Sequence, residues 1–372
     1  MRLHILPDEK IINRTIETFE HVFPEENKYI ILTNGQNCNY VDVSIKNVFV
    51  VKFGTDDFWE RIGDYKAYSC IIVHYLSLDS ARFINKIEHP EIYWIEWGGD
   101  LYNNLLSRKG YKLYTNTLCI FRFIYGSLVK AFVLFLLRKR PANKEILSAI
   151  KKIKYFVPDS MYDEYPLFLK YYPEFRHLVY KEFYYYPIEQ VVSITIRNKF
   201  CEGEHVIVGN SCSFSGNHLE VIEKLSHFDI NDNRKVIFPI SYAGNVKYKD
   251  EILRIGKKKL GRSFTPIVEY VALQKFNEIL LSASYFIYNN YRQEAVGNIL
   301  TALYFGGKVF LSDNNPLLQF YQRLGLRIFS MSEMNINSLN EPLDGESRNH
   351  NRSIILKNYS LERLYTLVSN NF

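Results

Sequence analysis

The stretch IVGNSCSFSGNH, residues 207–218, governs how the second half of this chain is interpreted. An apolar strand at 205–208 runs into Gly209-Asn210-Ser211, and the next helix is expected to begin near Asn217. In α/β proteins, the backbone N–H groups at such a strand end and helix start are free to bind phosphate. Because the stretch lies beyond the midpoint of the chain, we expect a nucleotide or phosphate site in a second domain.

Apolar runs and amphipathic segments alternate on both sides of this stretch, which is typical of parallel sheets covered by helices on both faces. The expected strands are 3–6, 29–32, 48–53, 70–75, 92–97, 155–157, 205–208, 235–239, 265–269, 285–288 and 308–311. The pattern therefore predicts an α/β protein built from two doubly wound, Rossmann-like domains that face a central cleft.

The length of 372 residues is enough for two domains of ordinary size. We place the boundary near Pro187–Asn198, where a region punctuated by prolines ends. The predicted domains are residues 1–187 and 188–340. Residues 341–372 are expected to end in a last helix that packs back on the first domain.

Composition narrows the class of protein. A hydrophobic fraction of 47% argues against disorder, and a net charge of +6 suits an anionic membrane surface or a phosphate-bearing substrate. The sequence has no stripe of alternating basic and aromatic residues, which would indicate nucleic-acid binding. Five scattered cysteines without a CxxC motif argue against a disulfide framework and a zinc site. The cysteine pattern implies a reducing cytoplasm. The N-terminal apolar run is too short for a signal peptide.

The segment TLCIFRFIYGSLVKAFVLFLL, residues 117–137, is the most apolar in the chain. Arg122 and Lys130 interrupt it, and a charge at the centre of a bilayer is costly. Three interpretations are open: a buried or amphipathic helix of the first domain, a true membrane span, or a helix that lies on the membrane. In the last case, Arg138, Lys139 and Arg140 would face lipid phosphates.

Polar residues follow several strands of the second half at their carboxyl ends, where ligands bind in doubly wound sheets. Arg292 can pair with a diphosphate, and Glu294 can accept hydrogen bonds from a ribose diol. Structural alternatives are equally open: the glycines can permit close packing, Asn210 and Asn217 can be turn and cap residues, and Arg292 can be a solvated charge. Glu294 would also be favoured by the dipole of a helix at 294–305. The candidate binding residues are Gly209, Asn210, Ser211, Tyr242, Arg292, Gln293, Glu294, Gly297 and Asn298.

The stretch YWIEWGGDLY, residues 93–102, ends a strand of the first half and turns at two glycines. Asp100 is a candidate helix N-cap, and it is also placed to act as general base for an acceptor hydroxyl. His74, at the end of strand 70–75, is a second candidate base or a structural histidine.

Two α/β domains around a cleft suit a nucleotide-sugar glycosyltransferase of the GT-B architecture. The lack of a P-loop argues against a two-domain kinase. The lack of a signal peptide argues against a periplasmic-type binding protein. No Asp-x-Asp pair, which commonly holds a divalent ion in metal-dependent glycosyl transfer, occurs in the chain. Helix N-termini and basic side chains would then neutralise the leaving diphosphate, and we expect no metal ion and no other cofactor.

Four motifs carry a family resemblance. They are WGGDLY at 97–102, IVGNSCSFSGNH at 207–218, FPISYAGN at 238–245 and YRQEAVGNILTALYFGGKVFLSDNNP at 291–316. In this order they resemble the bacterial TDP-N-acetylfucosamine:lipid II N-acetylfucosaminyltransferases, the 4-alpha-L-fucosyltransferase family. The resemblance implies a GT-B fold, a nucleotide-activated deoxysugar donor and a polyprenyl-diphosphate-linked acceptor at the inner membrane face.

The chain departs from the family at Glu294-Ala295, where members can carry Gln-Gly, and at 212–216, which lacks the charged residues of some members. The donor therefore stays open among GDP-fucose, TDP-Fuc4NAc and UDP-HexNAc. We expect a peripheral membrane enzyme that moves a fucose-type deoxyhexose onto a lipid-linked oligosaccharide in surface polysaccharide biosynthesis. Inversion is expected, and retention stays open because the base is not fixed. The competing class is a non-catalytic nucleotide- or glycan-binding module, or a structural partner, of a polysaccharide assembly complex.

Overall fold

The computed structural model describes residues 1–35, 38–127, 129–130, 132–133 and 142–372. These residues form two compact units. The first unit comprises Met1–Tyr111, Arg140–Tyr185 and Glu362–Phe372, and the second comprises Lys112–Lys139 and Tyr186–Leu361, each in its described part. Each unit is built on one parallel sheet, which confirms the prediction of two doubly wound α/β units.

The first unit holds a seven-stranded parallel sheet in the order β3-β2-β1-β4-β5-β6-β7. Its strands are β1 (Arg2–Pro7), β2 (Asn27–Leu32), β3 (Val48–Val51), β4 (Cys70–His74), β5 (Ile92–Glu96), β6 (Tyr155–Pro158) and β7 (Val179–Tyr180). Its α-helices are Ile12–Val22, Asp56–Ile62, Leu78–Lys86, Lys144–Lys152, Glu164–Tyr171 and, from Glu362 onward, Leu361–Asn371. Every residue of β4 and β5 is buried, as expected for inner strands covered on both faces.

The second unit holds a six-stranded parallel sheet in the order β10-β9-β8-β11-β12-β13. Its strands are β8 (His205–Val208), β9 (Val236–Pro239), β10 (Phe264–Ile267), β11 (Ala283–Tyr288), β12 (Lys308–Leu311) and β13 (Phe329–Ser330). Its α-helices are Thr117–Tyr125, Ile188–Val191, His218–Leu225, Val246–Leu260, Leu273–Leu281, Val296–Tyr304, Pro316–Arg323 and Gly345–Asn358.

The strand order creates a switch point in each sheet. In the first unit β1 lies between β2 and β4, and in the second unit β8 lies between β9 and β11. The chain therefore winds outward in one direction from β8 and then in the other direction from β11. Such a reversal leaves a crevice outside the carboxyl ends of the two central strands, which is where doubly wound sheets bind ligands.

The C-terminal region forms two helices rather than one. Gly345–Asn358 belongs to the second unit, and only Glu362–Phe372 groups with the first. There, the ring of Phe372 packs 5.3 Å from that of Phe19 and 5.1 Å from that of Tyr93. These aromatic contacts anchor the chain end to the first sheet and its covering helix.

The described part of Lys112–Lys139, which the sequence assigned to the first domain, groups with the second unit. Helix Thr117–Tyr125 contributes Ile120 to the core that also contains Val221 and Tyr248. The helix ends at Gly126, whose φ of +68° forms a left-handed C-cap. Among the residues described, no helix has both the length and the hydropathy needed to cross a membrane. Arg138, Lys139 and Arg140 lie outside the described residues.

Candidate functional site

The loop that follows β8, residues 209–217, lies against the loop that follows β11, residues 289–295. Asn217 Nδ2 donates a hydrogen bond to the Asn289 carbonyl at 2.8 Å, and the Ser215 hydroxyl donates to Glu294. Since β8 and β11 are neighbours, both loops start at the same edge of the sheet. The structure thus joins the two segments that the sequence predicts as the nucleotide-sugar site.

Asn217 ties these loops together through its side chain, which does not cap the helix that follows. Its backbone has a left-handed φ of +46°, and helix His218–Leu225 begins after it without a side-chain cap. The side-chain oxygen accepts the Thr115 N–H at 2.9 Å, while the amide nitrogen reaches the Ser215 and Asn289 carbonyls. Asn217 thus occupies the predicted N-cap position, but its side chain makes no capping hydrogen bond, because distant backbone groups occupy it.

Glu294 is the anionic group of the site. Its Oε2 accepts hydrogen bonds from the Ser215 hydroxyl and from Asn290 Nδ2 at 2.8 Å, and it forms an ion pair with Arg292 at 3.1 Å. The two ion-paired side chains are only 12% and 13% exposed. Oε1 accepts no hydrogen bond from the residues described. The carboxylate is therefore held through one oxygen and has the other available to a ligand.

The local setting of Glu294 and Arg292 differs from the prediction. Helix Val296–Tyr304 starts two residues after Glu294, because Ala295 takes a left-handed φ of +64°. Glu294 is thus outside the first helical turn, where the sequence placed it. Arg292 is not a solvated charge either: besides Glu294, it donates to the Gln293 carbonyl at 3.3 Å.

The remaining candidates after β11 have mainly structural surroundings. Gln293 is buried. A Cβ at Gly297 would lie 2.9 Å from the ring of Tyr186, so close packing requires this glycine. Asn298 is half-buried on helix Val296–Tyr304, and its side chain has no hydrogen bond within the described ranges. Their roles in binding stay predictions.

The Gly209-Asn210-Ser211 turn offers backbone donors. Gly209 has a φ of +69°, which a residue with a side chain rarely adopts. Tyr242, after β9, supports the turn: Asn210 Nδ2 donates to its hydroxyl at 3.1 Å, and its carbonyl accepts the Cys212 N–H at 2.8 Å. The N–H groups of Asn210 and Ser211 donate to no group in the part of the chain that the structure describes. They are therefore free to bind an anion.

His218 is a residue of this site that the sequence analysis missed. It is the first residue of its helix, and its ring is fully buried against Gly209 and Gly216. The only local signal is its position directly after Asn217 in the 207–218 motif. A buried histidine next to a glycine turn is visible only once the loop is folded.

Asp100 is buried in a π-helical turn, Gly99–Asn103, of the first unit. Its Oδ2 accepts the Leu76 N–H at 2.8 Å and the Trp94 indole N–H at 2.7 Å, and its Oδ1 accepts the Trp97 N–H at 2.9 Å. Burial raises the pKa of Asp100, and these donors oppose that rise. The residue lies inside the turn, so the N-cap prediction is wrong. It braces the ends of β4 and β5, and its role as general base stays a prediction.

His74 belongs to a buried chain of hydrogen bonds. Asn27 Nδ2 donates to the Phe23 carbonyl, so Asn27 Oδ1 accepts from His4 Nε2 at 3.3 Å. His4 Nδ1 then accepts from His74 Nε2 at 3.2 Å, and His74 Nδ1 accepts from the Tyr185 hydroxyl at 2.6 Å. Burial lowers the pKa of His4 to about 3 and that of His74 well below its usual range. His74 is thus neutral, with both nitrogens occupied, and its role as reserve base also stays a prediction.

Glu96 and Glu164 are fully buried carboxyl groups of the first unit, and each acts electrostatically on the other. Glu96 Oε2 accepts the Gly98 N–H at 2.6 Å. Burial and the neighbouring Glu164 raise the pKa of Glu96 well above its usual range, and burial raises the pKa of Glu164 to about 7. The pair therefore retains a proton near neutral pH. Among the described residues, no group of three or more His, Cys, Asp or Glu side chains could hold a metal ion.

Part of the chain matches the sequence model of a known protein family. The family model described as 4-alpha-L-fucosyltransferase, glycosyl transferase group 56, matches residues 168–343. This range contains both loops of the candidate site, and the match confirms the resemblance there. The WGGDLY motif at 97–102 lies outside it.

The fold is similar to that of several solved structures. Sucrose-phosphate synthase from Thermosynechococcus elongatus has a TM-score of 0.64 at 10% identity, over 100% of this chain and 98% of that one. Anabaena HepE in complex with UDP has a TM-score of 0.61 at 12% identity, over 100% and 99%. A glycosyltransferase from Rickettsia africae has a TM-score of 0.58 at 10% identity, over 100% and 99%. The predicted GT-B fold class is confirmed, and with the family match it supports a transferase enzyme.

Replacing Asp100 by Asn should lower the free energy of unfolding by about 1–3 kcal/mol, because the new amide N–H₂ must face a group that donates to the native carboxylate. Urea denaturation measures this loss, and the exposed Asp232→Asn variant, with a change below about 0.5 kcal/mol, is the control. The rate of transfer per folded molecule decides the role as base. A loss above about 100-fold would support that role, and a near-normal rate would remove Asp100 from the chemistry.

The Glu96–Glu164 pair makes the stability of the protein depend on pH. Because the pKa of Glu164 is raised in the folded state, its contribution to stability is complete below the ordinary value of 4.5 and is lost as the pH rises to about 7. Glu164→Gln cannot ionise, so its free energy of unfolding should vary less over this window and exceed the wild-type value at pH 8 by about 1–3 kcal/mol. Urea denaturation from pH 4.5 to 8 tests this, with the exposed Glu174→Gln variant as control. Parallel pH curves for wild type and Glu164→Gln would contradict it.

Proposed function

We propose that this GT-B glycosyltransferase, whose residues 168–343 match the 4-alpha-L-fucosyltransferase family, transfers a fucose-type deoxyhexose from a nucleotide-sugar donor. The observation that carries the proposal is the junction of the 209–217 and 289–295 loops at the switch point of the second sheet. Free backbone N–H groups and a carboxylate with one available oxygen meet there. A nucleoside diphosphate needs both kinds of partner.

The donor diphosphate would bind at the Gly209-Asn210-Ser211 turn. Two free N–H groups and the N-terminus of helix His218–Leu225 favour an anion at this edge. Arg292 has N–H groups beyond those that reach Glu294 and the Gln293 carbonyl, and they would contact the phosphates. Glu294 Oε1 would accept from the ribose hydroxyls. The similar Anabaena HepE structure contains UDP, which supports a nucleotide-sugar donor.

The reaction would be a single displacement with inversion. The acceptor hydroxyl attacks the anomeric carbon, the bond from that carbon to the diphosphate oxygen breaks, and the hydroxyl proton passes to a base. Asp100 remains the first candidate for this base and His74 the second. The leaving diphosphate, which carries the new negative charge, would be stabilised by the N–H groups of the turn and by Arg292.

An exposed apolar surface on the second unit supports a lipid-linked acceptor. Lys247 Nζ lies 3.4 Å from the position that a Cβ added at Gly126 would take. Lys249 Nζ donates a hydrogen bond to the Val268 carbonyl at 3.3 Å. These contacts join the end of helix Thr117–Tyr125 to the segments after β9 and β10. The exposed apolar residues of the three segments are Ile124, Tyr125, Val129, Phe132, Val133, Tyr242, Val246, Val268, Tyr270 and Leu273.

Aromatic and aliphatic side chains beside lysines fit the interface of an anionic membrane, because rings occupy the headgroup level while cations pair with lipid phosphates. We therefore propose peripheral binding to the inner face of the cell membrane, where the enzyme would reach a polyprenyl-diphosphate-linked glycan. Surface polysaccharide biosynthesis is the process that uses such acceptors.

A nucleotide panel tests the donor site. Thermal unfolding is followed with GDP, UDP, TDP, CDP and ADP in the presence of EDTA, and one nucleotide should raise Tm selectively. A ligand at about 100 times its Kd adds roughly 2.7 kcal/mol of stability, which such a scan detects. Glu294→Gln should weaken the Kd about 10-fold or more, because it replaces the charged acceptor of the ribose. The exposed Glu204→Gln variant should bind as wild type.

No shift with any of the five nucleotides would contradict the proposed function and favour a structural partner. Slow hydrolysis of the nucleotide sugar by the wild-type protein separates the enzyme from a non-catalytic binding module. Hydrolysis requires an activated leaving group, whereas binding alone does not.

Vesicle flotation tests the membrane surface. The wild-type chain should bind vesicles of phosphatidylglycerol and phosphatidylethanolamine, and the double variant Val246→Asp/Tyr270→Asp should bind about 10-fold less. These side chains are 74% and 75% exposed, so the changes leave the core intact, while each introduces a charge that anionic lipid repels. Ile194→Asp, at a residue that is 76% exposed, is the control. Equal loss in both variants, or no loss in either, would contradict the assignment.

A further inference from the structure

The loops after the central strands of the second sheet carry no net positive charge. Residues 209–217 and 240–245, which follow β8 and β9, contain no charged side chain. In the loop after β11, residues 289–295, the charged side chains are Arg292 and Glu294, and their ion pair at 3.1 Å balances them. Both phosphates of a nucleoside diphosphate are negatively charged, so tight binding at this end of the sheet calls for a further cation.

Lys112 places a cation beside the loop after β11. Its Nζ lies 5.6 Å from the centre of the Tyr291 ring, and Tyr291 directly precedes Arg292 in the chain. The Lys112 side chain is exposed, and it makes no ion pair or hydrogen bond with the residues that the structure describes. A contact between an ammonium group and a ring is weak at an exposed site. The ammonium group can therefore move from the ring to a phosphate at little cost.

The segment that carries Lys112 is fixed to both loops of the candidate site. The Thr115 N–H donates to Asn217 Oδ1 at 2.9 Å, and the Thr115 hydroxyl donates to the Tyr291 hydroxyl at 3.4 Å. The side chain of Leu113 is buried. These contacts order the backbone around Lys112 before any ligand binds, so pairing with a phosphate costs mainly the conformational entropy of one side chain.

The lysines that follow β9 have different partners. Lys249 Nζ donates to the Val268 carbonyl, and Lys247 Nζ lies close to Gly126. Both contacts belong to the surface proposed to bind the membrane. Lys112, by contrast, lies over a residue of the loop that contains Arg292 and Glu294.

We infer that Lys112 binds the diphosphate of the nucleotide-sugar donor, an inference that rests on the proposed function. Its ammonium group pairs with a phosphate oxygen, together with the N–H groups of Asn210 and Ser211. When the bond from the anomeric carbon to the diphosphate oxygen breaks, the diphosphate gains negative charge, and the cation stabilises that charge. Lys112 thus supplies the positive charge that the 209–217 loop does not carry.

Isothermal titration calorimetry on the full chain tests this inference. The ligands are the nucleoside diphosphate selected by the panel, its nucleoside, and inorganic pyrophosphate. Lys112→Met removes the charge of an exposed side chain, so the fold should be unaffected. This variant should bind the diphosphate and pyrophosphate about 5-fold more weakly or worse, and the nucleoside within about 2-fold of wild type. Lys112→Arg should retain most of the affinity. The matched control is Lys257→Met, at an exposed lysine of helix Val246–Leu260.

The salt concentration provides a second readout. The Debye length falls from about 10 Å at 0.1 M salt to about 3 Å at 1 M salt. The difference in diphosphate affinity between wild type and Lys112→Met should therefore shrink as NaCl is raised over this range. A difference that does not depend on salt would show that the substitution acts through the structure, and it would overturn the inference.

Further results would also contradict the inference. Unchanged diphosphate affinity in Lys112→Met would refute it and leave the proposed function intact. Equal losses for nucleoside and diphosphate, or the same loss in Lys257→Met, would refute it as well. Weaker binding of pyrophosphate alone would assign Lys112 to a different diphosphate, such as that of the acceptor. If the wild-type protein binds no nucleotide, the proposed function fails, and this inference fails with it.

Discussion

At the carboxyl end of the second sheet, the position of the loops after β8 and β11 depends on the hydrogen bonds that converge on Glu294. Ser215, Asn290 and Arg292 all donate to one carboxylate oxygen, and the ion pair with Arg292 is almost fully buried. A charge in such surroundings is stable only when its partners are all in place. Because Ser215 belongs to the loop after β8 and the other two to the loop after β11, the same contacts that stabilise the charge hold the two loops together.

The backbone at this edge is strained, and the surrounding contacts sustain it. Asn217 and Ala295 both adopt a left-handed φ immediately before a helix. Such a conformation costs most residues with a side chain about 1–2 kcal/mol, whereas Asn adopts it more readily. Asn217 offsets this cost through hydrogen bonds to Thr115 and Asn289, whereas Ala295 has no polar side chain and relies on the fixed Glu294 beside it. In both cases the turn brings a helix start to the carboxyl end of a central strand.

The sequence predicts those features that local chemistry determines. Strands β8 and β12 have the predicted bounds, because a short buried run between turn residues leaves little choice of conformation. The sequence also predicts where the candidate residues of the second unit lie, because polar side chains that follow buried parallel strands must lie at the carboxyl end of the sheet; their roles in binding stay predictions. The partners of these residues could not be predicted. Ser215 and Glu294 are 79 positions apart, and Thr115 and Asn217 are 102 positions apart.

The errors have the same physical origin. The sequence predicted capping by the side chains of Asn217 and Asp100 because both residue types are good caps in isolation. In the fold, each side chain instead binds donors brought from elsewhere in its unit: Thr115 for Asn217, and Leu76 and Trp94 for Asp100. Similarly, the described part of 112–139, which the sequence places in the first domain, groups with the second unit, because Ile120 packs there with Tyr248. Local propensity is outweighed wherever a polar or apolar group finds a stronger partner at long range.

The two units share one architecture. They differ in how many polar groups at the ends of their central strands have hydrogen-bonding positions that the protein does not occupy. Asp100 receives donors on both oxygens, and both nitrogens of His74 are occupied. At the second sheet, by contrast, Oε1 of Glu294 and the N–H groups of Asn210 and Ser211 have no partner among the described residues. Solved structures with 10–12% identity have the same fold, so each of them has a comparable carboxyl end of a parallel sheet. Which ligand binds there depends on the groups that the loops leave free. In this chain they are one carboxylate oxygen and two backbone N–H groups, which are the acceptor and donors that the proposed nucleotide-sugar donor needs.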